Sequence, residues 1–155
     1  MSKLDVRIVK LEPMAFASAY GFGSSPEAMA HEKMLAFLKA RNRLDGYGTK
    51  RRHFGFNNPS PSVGSPNYGY EIWVDVDAGT EPQDDIRIVH FHGGLYAVTR
   101  FEDLNNIGRV WSDLVKWRET SKYREAHHQW LENLHNPLEQ DITKYVFDLY
   151  LPISE

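Results

Sequence analysis

The chain states one pattern twice. Val6-Arg7-Ile8-Val9-Lys10-Leu11 returns eighty positions later as Ile86-Arg87-Ile88-Val89-His90-Phe91, and the stretch 15–19 returns as 95–99. Tyr70-Glu71-Ile72-Trp73-Val74-Asp75-Val76 is echoed at an offset of 77 by Phe147-Asp148-Leu149-Tyr150-Leu151-Pro152-Ile153. Both repeats therefore close with an acid followed two residues later by an aromatic. Because side chains alternate across a strand with a period of two, each acid and its aromatic share one face, and the intervening apolar residues share the other.

The repeats fill the chain. With 155 residues there is room for one domain (1–155) with a sizeable core, divided into halves of about 1–76 and 86–155 by the acidic, glycine- and proline-containing linker 77–85. The absence of cysteine excludes disulfides and thiolate chemistry and is compatible with a cytoplasmic location. The opening residues carry no apolar leader pattern, and no apolar run reaches membrane-spanning length. A net charge of −3 without a dense basic stripe argues against direct nucleic-acid binding, and Lys50-Arg51-Arg52 beside Gly46 and Gly48 reads as a solvated loop.

In the first half the pattern predicts extended segments at 4–11 and 15–22 with a break at Pro13. A helix follows, announced by Ser24-Ser25-Pro26-Glu27 as N-cap, first-turn proline and early acid, and running to about Asn42. Its apolar stripe is Ala30, Met34, Phe37 and Leu38, with Arg41 next on the same face. Strands at 54–56 and 68–76 flank a proline- and serine-rich loop at 57–67, open to service as a lid or as a plain connector. The second half repeats the order: 86–91, the Gly93-Gly94 break, 95–101, a helix from about 106 to 118 with Ile107, Val110, Trp111, Leu114 and Trp117 on its apolar face, and a final strand at 145–153. The segment 121–137 fits either a short helix near 129–134 or a strand followed by a turn. The whole predicts an α+β fold, a tandem pseudo-two-fold βαββ repeat forming one mainly antiparallel sheet, with helices on one face and a ligand groove on the other.

On the last strand of each half, Glu71 with Trp73 and Asp148 with Tyr150 fall on the face away from the helices. An acid beside aromatic rings attracts an organic cation, since the ring quadrupole and the anion both favour positive charge, and a buried acid without a partner strengthens the attraction. The same acid, with its pKa lifted toward neutrality, would serve as a general acid or base. His90 and His92 share a strand face but lack a third ligand nearby in sequence, so no metal or other cofactor is expected.

The run Ser65-Pro66-Asn67-Tyr68-Gly69-Tyr70-Glu71, then Gly93-Gly94-Leu95-Tyr96-Ala97-Val98, the stretch from Trp111 to Trp117 and the closing Phe147–Ile153 segment resemble the GyrI-like (DNA-gyrase-inhibitor-like) effector-binding superfamily over essentially the whole chain. The resemblance implies a stand-alone small-molecule-binding domain that senses or sequesters lipophilic, cationic or polyaromatic compounds in a groove between the two repeats. The matching acid here is Asp148, shorter than the glutamate of many relatives, with Glu71 as the longer alternative. The expected ligand-binding residues are Glu71, Trp73, Asp148 and Tyr150, flanked by Tyr68, Phe16 and Tyr96. Two alternatives come with the resemblance: a hydrolase opening strained rings of reactive xenobiotics, with Glu71 or Asp148 catalytic, and a protein-directed inhibitor of a partner such as DNA gyrase. A homodimer is left open.

Overall fold

The computed structural model of the chain describes residues 4–41 and 52–155. In chain order its elements are β1 (Arg7–Leu11), β2 (Met14–Gly23), α1 (Pro26–Ala40), β3 (His53–Asn57), β4 (Tyr68–Val76), β5 (Arg87–Phe91), β6 (Gly94–Glu102), α2 (Ile107–Glu119), β7 (Arg124–Glu125), β8 (Leu131–Leu134) and β9 (Val146–Ser154). Lys50, Arg51 and the expected helix end at Asn42 lie outside the described residues. Among the described residues no helix is long and apolar enough to cross a membrane.

Two of the local expectations change in detail. Ser25 stands at the N-cap of α1, but no side-chain capping bond forms; Pro26 fills the first turn, and Glu27 accepts hydrogen bonds from the Tyr68 hydroxyl at 2.8 and 2.7 Å. In the ambiguous segment 121–137 the strand wins. Leu131 is fully buried opposite Tyr150 in the β8–β9 ladder, where partner-strand hydrogen bonds satisfy a backbone that a single helical turn, with its costly nucleation, would leave half bonded.

The chain divides into two compact units, Met14–Phe91 and Met1–Pro13 with His92–Glu155. In the continuous unit the strand order is β3-β4-β2-β5, every pairing antiparallel. Helix α1 covers one face, where Ala30, Met34, Phe37 and Leu38 pack on Ala17 and Ala19 of β2 and Ile72 and Val74 of β4. In the split unit the order is β1-β6-β9-β8, again antiparallel, with β7 adding to the end of β9. There Val110 and Leu114 of α2 pack on Ala97, Leu149, Leu151 and Ile153, with Ile107, Trp111 and Trp117 around them. The helical and strand periodicities thus bury the stripes the sequence marks, giving an antiparallel α+β architecture in each unit.

The units repeat one another strand for strand, yet they are not the sequence repeats. β1, from the first repeat, pairs with β6 of the second, and its copy β5 pairs with β2 of the first. The duplicated hexapeptide is exchanged between the repeats. Between β5 and β6, Gly93 adopts φ +83°, and a Cβ there would stand 2.4 Å from the Leu11 carbonyl oxygen and within 3.1 Å of further backbone atoms of Glu12 and Pro13. Glycine alone fits this backbone-on-backbone contact.

Gly93→Ala is expected to lower the unfolding free energy by about 2 kcal/mol or more, read as a fall in the urea midpoint; an unchanged midpoint would show that this turn is not strained. A second expectation concerns His53 on β3, only 4% exposed. Burial, with a smaller push from nearby His31, lowers its pKa to about 3. The unfolded chain binds a proton below about pH 6.5 that the folded chain refuses, so stability is full above that pH and declines beneath it, by on the order of 2 kcal/mol at pH 5. Urea titrations at pH 7, 6 and 5 should show this slope, and His53→Phe should flatten it.

Candidate functional site

Antiparallel pairing places opposed residues on the same face, so the orientation of Ile72 and Val74 toward α1 turns Glu71 and Trp73 the other way, together with Phe16 and Ser18 across on β2 and Phe54 and Phe56 across on β3. Trp73 lies at the centre of an aromatic cluster. It stacks on Phe16 with ring centroids 5.1 Å apart, meets Phe56 edge-on at 4.9 Å and Phe91 at 6.0 Å, while Phe54 stands edge-on to Phe16 at 5.8 Å. Edge-to-face and offset geometries of this kind add to the burial of the rings.

Glu71, 2% exposed, is held within this cluster. One carboxylate oxygen accepts hydrogen bonds from the Ser18 hydroxyl at 2.9 Å, the Trp73 indole N–H at 3.2 Å and the Arg87 guanidinium at 2.6 Å, and the other accepts from the Asn58 amide at 2.6 Å. Burial pushes the Glu71 pKa upward, but the bonds from Asn58, Ser18 and Trp73 and the Arg87 charge outweigh it and hold the carboxyl below its ordinary value. The acid is buried, ionised and saturated with donors.

The split unit builds the same arrangement around Asp148, also 2% exposed. Arg100 binds it through two nitrogens, Nε at 2.9 Å and Nη2 at 3.2 Å, Arg7 reaches it at 3.0 Å, and His135 Nε2 lies 2.9 Å away. Against the opposing effect of burial, the bonds and charges of His135 and Arg100 drive the Asp148 pKa far below the usual carboxylate range, and Asp148 in turn raises that of Arg100. Tyr150, two residues on, stands edge-on to fully buried Tyr96 at 5.4 Å; Tyr96 meets the His128 ring at 4.8 Å and donates its hydroxyl proton to the Gln129 carbonyl at 2.6 Å.

Of the residues marked by the sequence, Glu71, Trp73 and Phe16 come together in one unit, and Asp148, Tyr150 and Tyr96 in the other. Tyr68 does not join them: its hydroxyl bonds Glu27 of α1, on the helix side of β4, and burial, followed by that contact, raises its pKa to about 12. The sequence reading missed the partners of the acids. Two signals carried them. Arg7 and Arg87 are the same position of the duplicated hexapeptide, and each reaches the acid of the repeat to which its strand is lent. Asn58 and His135 share the 77-residue offset of the acids themselves, and each anchors its loop by an equivalent backbone bond, Asn58 N–H to Gly69 O at 2.8 Å and His135 N–H to Val146 O at 2.9 Å. The loop that follows Asn58 is exposed, with Val63 wholly so, and is tied by Gly69 N–H to Pro59 O at 3.0 Å.

These acids are not bare anions awaiting a cation, since each has a guanidinium within 3.0 Å. Nor does a carboxyl held below its ordinary pKa suit a general acid near neutral pH. What each unit holds on this side is a group of buried aromatic rings beside a charge-compensated polar network. His90 and His92 are both exposed, and among the described residues no group of three or more histidine, aspartate and glutamate side chains is placed to hold a metal ion.

Depressed carboxylate pKa values make a signed prediction. The stability contributed by Glu71 and Asp148 is present above the unfolded carboxylate values, about 4, and is lost as pH falls through the lower folded ones. Urea midpoints measured from pH 5 to pH 2 should therefore drop steeply in the parent, and less steeply in Glu71→Gln combined with Asp148→Asn. Equal slopes would mean that the networks do not hold the acids ionised.

Comparison with known proteins fits this architecture. The chain superposes on a chain of the EcmrR–DNA complex with a TM-score of 0.71 at 11% identity, covering 97% of the present chain and 57% of the EcmrR chain. It superposes on an uncharacterised conserved protein from Listeria innocua at 0.69 and 14% identity, with 98% and 93% covered, and on SAV2435 bound to tetraphenylphosphonium at 0.55 and 10% identity, with 97% and 94% covered. At these identities the likeness is one of fold. A search of the curated proteins finds no match. The family model of Cass2, the integron-associated effector binding protein, matches residues 7–153, and the chain therefore belongs to this effector-binding family of GyrI-like kind.

Proposed function

We propose that the chain binds a lipophilic, polyaromatic small molecule at the aromatic cluster that a unit carries on the side away from its helix, around Trp73 in the continuous unit or Tyr150 in the split one. Small-molecule binding follows from membership in an effector-binding family; the chemistry of the ligand is our reading. The observation that carries it is the repetition, in both units, of a buried and charge-compensated acid beside aromatic rings on the face away from the helix. Nothing in the packing of either helix calls for such a pair, and a polar network of this completeness fixes the rings in place before a ligand arrives, which reduces the entropy lost on binding.

The sequence argument for a cation rested on acids without partners. Both have partners, so the rings support the reading: Trp73 and Tyr150 are 6% and 8% exposed within clusters of aromatic neighbours, and π contact favours aromatic bodies of any charge. SAV2435, of similar fold, is a protein bound to tetraphenylphosphonium, four phenyl rings about a central atom, and a ligand of that kind suits the proposed face.

Calorimetric and tryptophan-fluorescence titration with polyphenyl probes, cationic, anionic and neutral, tests the proposal. At least one is expected to bind saturably, and Trp73→Phe or Tyr150→Leu, according to the unit that holds the probe, should weaken it by about three- to tenfold. No saturable binding by any probe would overturn the reading.

A further inference from the structure

We propose that the split unit selects for negative charge: its ligand is a lipophilic anion, an aromatic carboxylate or sulfonate whose acid group lies on the guanidinium groups of Arg100 and Arg7. The inference rests on the small-molecule reading above and adds the class of ligand.

The two networks differ in one charge. In the continuous unit a single guanidinium, Arg87, faces a single carboxylate, Glu71, and the remaining donors are neutral. In the split unit Asp148 faces two guanidinium groups and an imidazole. The added cation is local to the repeat. Arg100 opposes Asp148 in the β6–β9 ladder, and the place opposing Glu71 in the β2–β4 ladder is held by Tyr20. Arg7 and Arg100 have no other carboxylate within 4.0 Å among the described residues. Two guanidinium groups against one carboxylate leave the cluster one net positive charge before His135 is counted.

Donors remain to use that charge. A guanidinium has five N–H groups in a planar fork; Arg7 commits Nη2, and Arg100 commits Nε and Nη2, to Asp148. The side chains are 52% and 58% exposed, so each is anchored to a buried acid at one edge and open to solution at the other. Such an anchored guanidinium has lost much of its rotamer freedom beforehand and presents its remaining N–H groups in the geometry that carboxylate and sulfonate oxygens accept. The face is shared with rings: Tyr96, alternating with Arg100 on β6, and Tyr150, alternating with Asp148 on β9, lie on the same side, and Tyr150 is close enough to Arg100 to raise its pKa. The rings are buried, Tyr96 wholly and Tyr150 all but 8%, so what this place offers an aromatic anion is the open edges of two guanidinium groups beside them. A cation at this place meets net repulsion.

Tetraphenylborate and tetraphenylphosphonium have nearly the same size and shape and opposite charge, which makes them the probes for this test. Titrated calorimetrically against the whole chain at low ionic strength, tetraphenylborate is expected to bind about tenfold more tightly, with the preference shrinking as salt screens it. Arg100→Gln should cut the preference at least threefold, Arg7→Gln should act in the same direction, and Arg100→Lys should preserve most of it; circular dichroism confirms that each variant is folded. Equal binding, tighter binding of the phosphonium, or a preference untouched by both glutamine variants would overturn the inference while leaving the proposed function standing. Failure of both ions and of a neutral polyphenyl probe to bind would instead overturn the proposed function itself.

Discussion

A carboxylate buried in a sheet cannot be left bare, and the side of each unit away from its helix is organised around that constraint. Stripping an acid of water costs several kcal/mol unless donors and an opposite charge replace the lost hydration. Glu71 obtains its guanidinium from β5 and Asp148 obtains one from β1, and neither strand belongs to the repeat that contains the acid. Strand exchange and charge compensation are therefore one arrangement: the edge strand that completes the sheet delivers the cation that permits the acid to be buried. Around that fixed point the rings are placed, Trp73 against Phe16 and Tyr150 against Tyr96.

Much of this was legible along the chain. Period-two alternation in 68–76 and 145–153 separated the helix-facing residues from Glu71, Trp73, Asp148 and Tyr150, and the helical spacing of Met34, Leu38, Val110 and Leu114 identified the buried stripes. These succeed because alternation and helical period are local properties of a backbone. Arg7 and Arg87 were invisible for the opposite reason: their role depends on which strand lies beside which, a property of pairing rather than of any window of sequence. The same holds for Tyr68, whose place on β4 was correctly assigned to the helix side but whose hydroxyl finds Glu27 rather than the acids. The short strand β8 was ambiguous because four residues are too few to display a period, and its partner β9 decides the matter.

Duplication preserved the backbone more faithfully than the chemistry. The loop anchors at Asn58 and His135 are superimposable in their bonding, and so are the two exchanged strands. Around this common frame, the continuous unit is lined by hydrocarbon rings, Phe16, Phe54, Phe56 and Phe91 about Trp73, whereas the split unit has tyrosines, a histidine and a second arginine. One copy has become an oily cluster and the other a polar, amphiphilic one.

The exchange of β1 and β5 also sets a timetable for synthesis. Residues 14–91 contain every strand of their own unit in one continuous stretch, so that unit has all its parts once Phe91 is clear of the ribosome. The strand β1 is different: made early, it must remain unpaired until β6 exists, and Arg7 waits 141 residues for Asp148. Contacts of such sequence separation form slowly because a long loop must close before they are rewarded. During that interval the nascent chain displays the edge segment Arg7-Ile8-Val9-Lys10-Leu11, and the charges of Arg7 and Lys10 within it are the features that keep an unsatisfied strand from pairing with a neighbour.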